Sequence, residues 1–336
     1  MKKTLLTPIS LAIAGVLAAG SANAVTVYET DDAYIKLTGE VAFELTRDVD
    51  DGDEIDSKTD NVDLEVSAGY KLENGVELFG YYAFEFASLT EEESDSKDFL
   101  KDHYIGAKKD GWLVKYGDMD YAVDDFAVRQ NLDAKTATEM VLNPDDSERG
   151  GSKEVIYASF KGDGYFVSMS HDLALDADSD NNDDGDEETG YDIFAEAELL
   201  SDFWAGATYS VQDYYDDGKY ASYGVQVEYK GIENLYLGAS YVFGENYLAK
   251  EKGDSVNNEA TGWDIAAKYK LNSKVSVGAG VGIASPDSGN ENYSEDVTTW
   301  YVNANYNIRK NLDVYAEVYD EDSDQLGLLA GVSLDF

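Results

Sequence analysis

Acid–base chemistry in this chain would have to start from two histidines, His103 and His171, the latter beside Asp172. Acyl transfer needs a nucleophile, a His within hydrogen-bond reach and a third group that orients the His. A His next to an acid is common by chance, and the chain has no Cys to serve as an alternative nucleophile. The residues therefore read as those of a non-enzyme. Metal chemistry has one candidate, an acidic run within 173–188. From Asp180, the stretch Asp180-Asn181-Asn182-Asp183-Asp184-Gly185 matches the first half of a calcium loop, but Tyr191 stands where the closing Glu belongs. From Asp176, Glu187 falls in the closing position but Asn181 replaces the required Gly. Asp176, Asp178, Asp180, Asp184 and Glu187 are thus expected to gather Ca2+ diffusely and not in a specific site; no other cofactor is indicated.

The charge balance narrows the class of partner. Acidic residues number 69 against 25 basic ones, a net charge of −44, so nucleic acid is excluded as a partner because phosphate binding needs the opposite sign. Such acidity suggests disorder, yet aromatics make up 12% of the chain, with 26 Tyr, and the charge must sit on an ordered scaffold. Residues 1–24 read as a secretory signal: Lys2 and Lys3, an apolar stretch from Leu5 to Ala19, and an Ala22-Asn23-Ala24 cleavage site. Export with Val25 as the new N-terminus is the expectation, and no Cys is present for a lipid anchor or a disulfide.

The elements that position these residues follow from periodicity. From Ile35 one parity reads Ile35, Leu37, Gly39, Val41, Phe43, Leu45, and the other Lys36, Thr38, Glu40, Ala42, Glu44, Thr46. Period two marks a strand with one apolar and one polar face. The pattern recurs sixteen times, over 33–46, 61–72, 76–87, 98–109, 112–118, 153–161, 164–172, 189–199, 203–212, 219–230, 234–244, 260–271, 274–284, 296–309, 312–320 and 326–336. Connections alternate between short turns, such as Asn74-Gly75 and Asp110-Gly111, and long loops, the longest being 119–152. Asn-Gly and Asp-Gly tolerate the positive φ of a primed hairpin turn. Short turns on one rim and long loops on the other predict an all-β, sixteen-stranded antiparallel transmembrane barrel over 25–336, with short periplasmic turns and long extracellular loops. Aromatics near both strand ends, Tyr70, Phe160, Tyr229, Tyr269 and Tyr306 at one and Phe43, Phe86, Tyr116, Tyr209 and Phe243 at the other, predict two interfacial girdles. Sixteen strands about 4.8 Å apart and tilted near 40° give a circumference of roughly 100 Å, too wide for side chains to fill, so the polar parity should face water.

The opening Tyr34-Ile35-Lys36-Leu37-Thr38-Gly39-Glu40, the hairpin Gly69-Tyr70-Lys71-Leu72-Glu73-Asn74-Gly75 and the ending Gly331-Val332-Ser333-Leu334-Asp335-Phe336 resemble the trimeric general porins of Gram-negative bacteria, most of all those of Vibrio-type species. The resemblance covers the whole chain after the signal. It implies a passive outer-membrane channel for ions and small hydrophilic solutes, assembled as a homotrimer among outer-membrane lipid and lipopolysaccharide. It gives Phe336 the role of closing the last strand and being read by the barrel-assembly machinery. It also implies that 119–152 folds inward as a constriction carrying Asp120, Asp124, Asp125, Arg129, Asp133 and Glu139, with a short helix over Asp125 to Met140. The family sets that loop against a wall of Arg, and here the chain departs from it, since its only arginines are Arg47, Arg129, Arg149 and Arg309. The inward parity holds Lys36, Glu40, Glu44, Asp63, Glu65, Lys71, Glu77 and Glu85, with further carboxylates at Asp172, Asp192, Asp264 and Glu317. An excess of carboxylates favours cations, so a cation-selective channel is expected. A sugar-specific channel using Tyr81, Tyr236, Tyr301, Tyr315 and Tyr319, or an adhesin using the acidic outer loops, are the other readings.

Overall fold

The computed structural model describes residues 25–47, 55–86, 100–128, 130–132, 134–142, 154–173, 190–214, 218–245, 259–287, 296–323 and 326–336. Residues 1–24, expected to be a signal, and the acidic run 174–189 lie outside them. Seventeen strands run in chain order: β1 (Val25–Glu29), β2 (Ala33–Arg47), β3 (Asp56–Lys71), β4 (Glu77–Glu85), β5 (Leu100–Lys109), β6 (Trp112–Asp118), β7 (Val155–Gly162), β8 (Tyr165–Asp172), β9 (Gly190–Leu200), β10 (Phe203–Tyr214), β11 (Gly218–Ile232), β12 (Leu235–Glu245), β13 (Glu259–Lys270), β14 (Val275–Asp287), β15 (Val297–Arg309), β16 (Leu312–Glu321) and β17 (Gly327–Asp335). Each of β2 to β17 pairs antiparallel with its neighbour in sequence, and β17 pairs back onto β2, so sixteen strands close a barrel with no free edge.

The short strand β1 has no counterpart in the alternation of the sequence. It pairs with the start of β2, Val25 opposite Leu37 and Glu29 opposite Tyr34. Higher up, the same edge of β2 is taken by β17, and Phe336 exchanges both backbone hydrogen bonds with Gly39 at 2.9 and 3.0 Å. β17 and β1 thus lie end to end along β2. The Phe336 ring covers Gly39, where a Cβ would sit 2.5 Å from its Cζ.

Turn chemistry fixes the short rim. Asp110 and Gly111 have φ of 48° and 87°, the consecutive left-handed pair of a primed turn. Two turns reach a residue beyond the connections 231–233 and 162–163 that the expected strand bounds leave. The β11–β12 turn has Asn234 at φ 64°, and the β7–β8 turn has Gly164 at φ 76°. In each case the hairpin closes where a residue that tolerates positive φ is available.

The outward parity is apolar and accessible, as at Phe43, Ile105, Val225, Ile265 and Val302. Two bands of rings flank it. Trp112 meets Phe160 at 4.7 Å and Phe160 meets Tyr165 at 5.6 Å beside the short turns. Tyr191, Tyr209, Tyr223 and Phe243 form a chain at 5.9, 5.0 and 6.5 Å near the long loops. These are the girdles of a membrane barrel.

The main hydrophobic core lies inside the barrel. Val123, Phe126, Ala137, Val141 and Leu142 of the long 119–152 connection pack against Phe194, Val242, Ala260 and Ala284 of the inner wall. Apolar residues in a loop and breaks in alternation on the facing strands are two halves of one interface.

Candidate functional site

The loop after β6 is the element that narrows the barrel. It contacts side chains from β8 round to β16, an arc that only a segment inside the cylinder can touch. A single short helix over Asp125 to Met140 does not form. A 3-10 turn (Ala122–Asp125) and the helix α1 (Ala137–Leu142) are separated by irregular backbone. The reason is competition for the amides, which the wall captures one at a time. Ala127 donates to the Gln226 side chain at 2.9 Å, Gln130 to the Tyr301 hydroxyl at 3.2 Å, Leu132 and Ala134 to Glu317 at 2.8 and 2.9 Å, and Lys135 to Glu321 at 2.7 Å. Amides that bond the wall are not available for helical bonds.

Wall carboxylates therefore divide into two sets, which corrects the expectation that all inward ones line water. Asp264 receives the amides of Ala137 and Thr138 at 3.0 and 2.7 Å and the Thr138 hydroxyl at 2.6 Å. Asp172 takes the Tyr121 hydroxyl at 2.9 Å, and Asp192 the Ser170 hydroxyl at 2.8 Å. Asp172, Asp192, Asp264 and Glu317 are 5%, 1%, 5% and 1% exposed; Asp172, Asp264 and Glu317 bond the loop directly, and Asp192 acts through Ser170, which accepts from the Ala122 amide at 2.8 Å. A buried carboxylate is stable only with such donors around it.

Glycines on the inward parity make room for the loop, a role the sequence reading missed. Cβ atoms at Gly224, Gly238 and Gly262 would strike Phe126, Val128 and Ala137, and one at Gly282 would meet the Ala137 Cβ. A groove of glycines across β11 to β14 thus receives the loop. The available signal was Gly placed where strands carry polar residues, since Gly in a strand often marks a close approach of other backbone.

The loop packs on the wall from β5 round to β16, which leaves β17 and β2 to β4 to bound the rest of the lumen. On the loop, Asp120, Asp124 and Asp125 are exposed and Glu139 is half-buried. Asp125 accepts hydrogen bonds from Tyr157 at 3.0 Å and Ser168 at 2.7 Å, and Asp124 from the Tyr121 amide at 2.9 Å. Arg129 and Asp133 lie outside the described residues. On the facing wall, Asp335 stands opposite Glu40, Glu40 opposite Asp63, and Asp63 opposite Glu85. This puts four carboxylates in one cross-strand row, with strands about 4.8 Å apart. Glu40 takes the Ser333 hydroxyl at 2.6 Å, and Glu65, one step below the row, takes that of Thr38 at 2.7 Å. Like charges directly opposite destabilise a sheet by on the order of 0.5 kcal/mol per pair; among the described residues Lys101 meets the row at Glu85, 3.8 Å away, and also attracts Asp63.

The remaining wall residues are occupied. Glu44 faces inward but is 7% exposed, its carboxylate taken by the Tyr315 hydroxyl at 2.7 Å. Glu77 binds Lys108 and the Tyr34 hydroxyl, both at 2.9 Å, near the periplasmic rim, where Lys71 is exposed. The Lys36 ammonium sits 4.9 Å above the Tyr34 ring. Arg47 is drawn to the Leu326 carbonyl at 3.1 Å, on the closing seam. Of the tyrosines considered for sugar stacking, Tyr301 and Tyr319 are buried under Ala134 of the loop, while Tyr81 keeps a partly open ring.

No described residues form a metal cluster, and the candidate calcium ligands Asp176, Asp178, Asp180, Asp184 and Glu187 lie outside the described residues. His171 lies on the outward parity and binds the Gly190 carbonyl at 2.9 Å, while Asp172 points inward to Tyr121. Neighbours on one strand face opposite sides of the sheet, so the pair cannot act together.

Comparison with known proteins agrees with this geometry. The chain is similar to Porin-like protein H of Photobacterium profundum, at 24% identity over the full length of both chains. Over 38% of its length it is 32% identical to about a third (35%) of a monosaccharide porin from a Halomonas species. Its fold matches OmpT of Vibrio cholerae, solved in a trimer form, with a TM-score of 0.71 at 15% identity, covering 91% of this chain and 100% of that one. A family model described as Gram-negative porin matches residues 10–326, and with that match the chain belongs to the Gram-negative porins, outer-membrane β-barrels that form channels for small solutes.

Proposed function

We propose that the chain is a passive diffusion channel with a preference for cations, working as a homotrimer in the outer membrane. The observation that carries the preference is the row Asp335, Glu40, Asp63 and Glu85, which faces the exposed Asp120, Asp124 and Asp125 of the loop. Both sides of the opening bear negative charge, and rings of Asp and Glu favour cations over anions. The wall lysines Lys36, Lys108 and Lys115 rest on aromatic faces, and Lys101 meets the row only at its Glu85 and Asp63 end, so Glu40 and Asp335 have no ion pair among the described residues. The row is also kept against its own repulsion, which the sheet tolerates only where water and mobile counter-ions screen it.

Assembly as a homotrimer is supported by the trimer form of the Vibrio cholerae relative. A role for Phe336 as a signal read by the assembly machinery fits a residue that exchanges both backbone hydrogen bonds with Gly39 where β17 meets β2. Lipid and lipopolysaccharide would meet the accessible apolar band between the girdles.

The test is the reversal potential of the folded protein in a planar bilayer across a KCl gradient. Cation preference is expected, falling as salt rises from 0.1 M, where the screening length is about 10 Å, to 1 M, where it is about 3 Å. Anion preference would defeat the reading, and an absence of conductance would favour the adhesin role. Sugar specificity has the Halomonas relative and the open face of Tyr81 in its favour; a sugar that blocks ion current at millimolar concentration would establish it.

A further inference from the structure

Four side chains stack along the inner wall at the level of the constriction. Tyr81 and Tyr104 face each other at 4.8 Å with planes 21° apart. The Lys115 ammonium lies 4.7 Å from the centre of the Tyr104 ring and 4.4 Å from that of Tyr157. The strand register builds this column: Tyr81 is opposite Tyr104, and Lys115 is opposite Gly106 on one side and Tyr157 on the other. Gly106 leaves space for the ring of Phe79, whose edge meets Tyr104 at 6.3 Å. The column ends on the loop, where the Tyr157 hydroxyl binds Asp125 at 3.0 Å.

Lys115 makes no ion pair among the described residues, although the loop carboxylates are close by. Two ring faces, each within the roughly 6 Å at which an aromatic quadrupole attracts a cation, share its charge with the longer-range attraction of Asp120, Asp125 and Asp102. Lys108 differs, because it rests on Phe79 at 5.5 Å but is also paired with Glu77 at 2.9 Å. Two rings that receive the same ammonium, with a carboxylate bonded to the far one, form a receptor for an ammonium group on an apolar body, and the tethered lysine fills it. The ammonium is held only by non-directional attraction, and its flexible stem lets it leave.

We propose that Tyr104 and Tyr157 form a cation-accepting slot at the constriction, with Lys115 as its resident occupant, and that organic ammonium solutes compete with Lys115 for it. Lys115 is then a specificity-determining residue that sets how long such solutes are held. The proposal rests on the reading of the chain as a cation-preferring channel and adds the class of solute that the wall retains.

The test is block of single-channel KCl current by benzyltrimethylammonium in planar bilayers, using the full-length folded protein. Lys115→Ala empties the slot, and block should tighten by between about threefold and thirtyfold. Lys115→Gln serves the same comparison should the alanine variant fold poorly. Lys115→Arg refills the slot and should block like the wild type. In the double variant Lys115→Ala with Tyr104→Leu, the gain should be lost. Unchanged block in both Lys115→Ala and Lys115→Gln would overturn the proposal, and so would a gain that survives in the double variant, because lost charge alone would then explain it. The wild-type reversal potential decides the selectivity reading by itself, whereas the slot is decided by the ratio of block between single and double variants.

Discussion

The carboxylate of Asp264 grips Thr138 twice, through its amide at 2.7 Å and its hydroxyl at 2.6 Å, and thereby ties helix α1 of the constriction loop to strand β13. With the Ala137 amide on the other oxygen, three donors converge on one buried side chain. Hydrogen bonds to a charged group contribute about 1.5–3 kcal/mol each when made in the interior. The loop's position is therefore set from the wall.

Asp264→Ala should release α1 while leaving the barrel closed. The local loss is on the order of 3 kcal/mol, enough to populate displaced loop positions. Single-channel recording should show larger current noise and sublevels absent from the wild type, and a quiet channel of unchanged conductance would contradict the anchoring role.

Filling the glycine groove should push the loop off the wall by steric means. Gly238→Val sets two new methyl groups against Val128, and Gly282→Val crowds first the Asp264 carboxylate that holds α1 and then Ala137. Overpacking of this kind costs about 1–3 kcal/mol. Altered conductance and faster protease cleavage within 119–152 are expected for both variants, with heat stability of the barrel little changed.

Neutralising the centre of the acidic row should weaken cation preference and relieve repulsion together. Asp63→Asn lies between Glu40 and Glu85. The reversal potential should move toward zero, while urea stability stays the same or rises by up to about 1 kcal/mol. A variant that becomes more cation-selective would count against the row as the source of the preference.

The seam between β17 and β2 should depend on the ring of Phe336 as well as on its backbone. Phe336→Ala uncovers Gly39 and removes a side chain that is 7% exposed. A loss of roughly 3 kcal/mol is expected by analogy with buried Phe truncation, read as a lower melting temperature of the folded band on gels. Slower folding into lipid vesicles supplied with the assembly machinery, beyond that seen without it, would separate recognition from packing.

A lysine on the lipid-facing parity, such as Val225→Lys, should cost about 2–4 kcal/mol at mid-membrane depth. Val225 is 56% exposed on the outer face of β11. The same change at Gln226, which faces the loop, tests a different interaction, so refolding in urea should distinguish the two faces of one strand.

Alternation along the sequence determined a great deal by itself. The sixteen barrel strands, their inward and outward faces and the short rim of turns follow from a period of two and from residues such as Asp110 and Gly111, because strand geometry and positive φ are local properties. Alternation shows which face a carboxylate occupies, but not what stands in front of it. Asp264 and Glu317 looked like Glu40 and Asp63 in sequence, and only the inward fold of the loop separates anchors from channel charges. Likewise, the row from Asp335 to Glu85 depends on the register with which β17 meets β2 across nearly the whole chain. Such register is set by closure of the barrel, which is a long-range event that no local window of residues records.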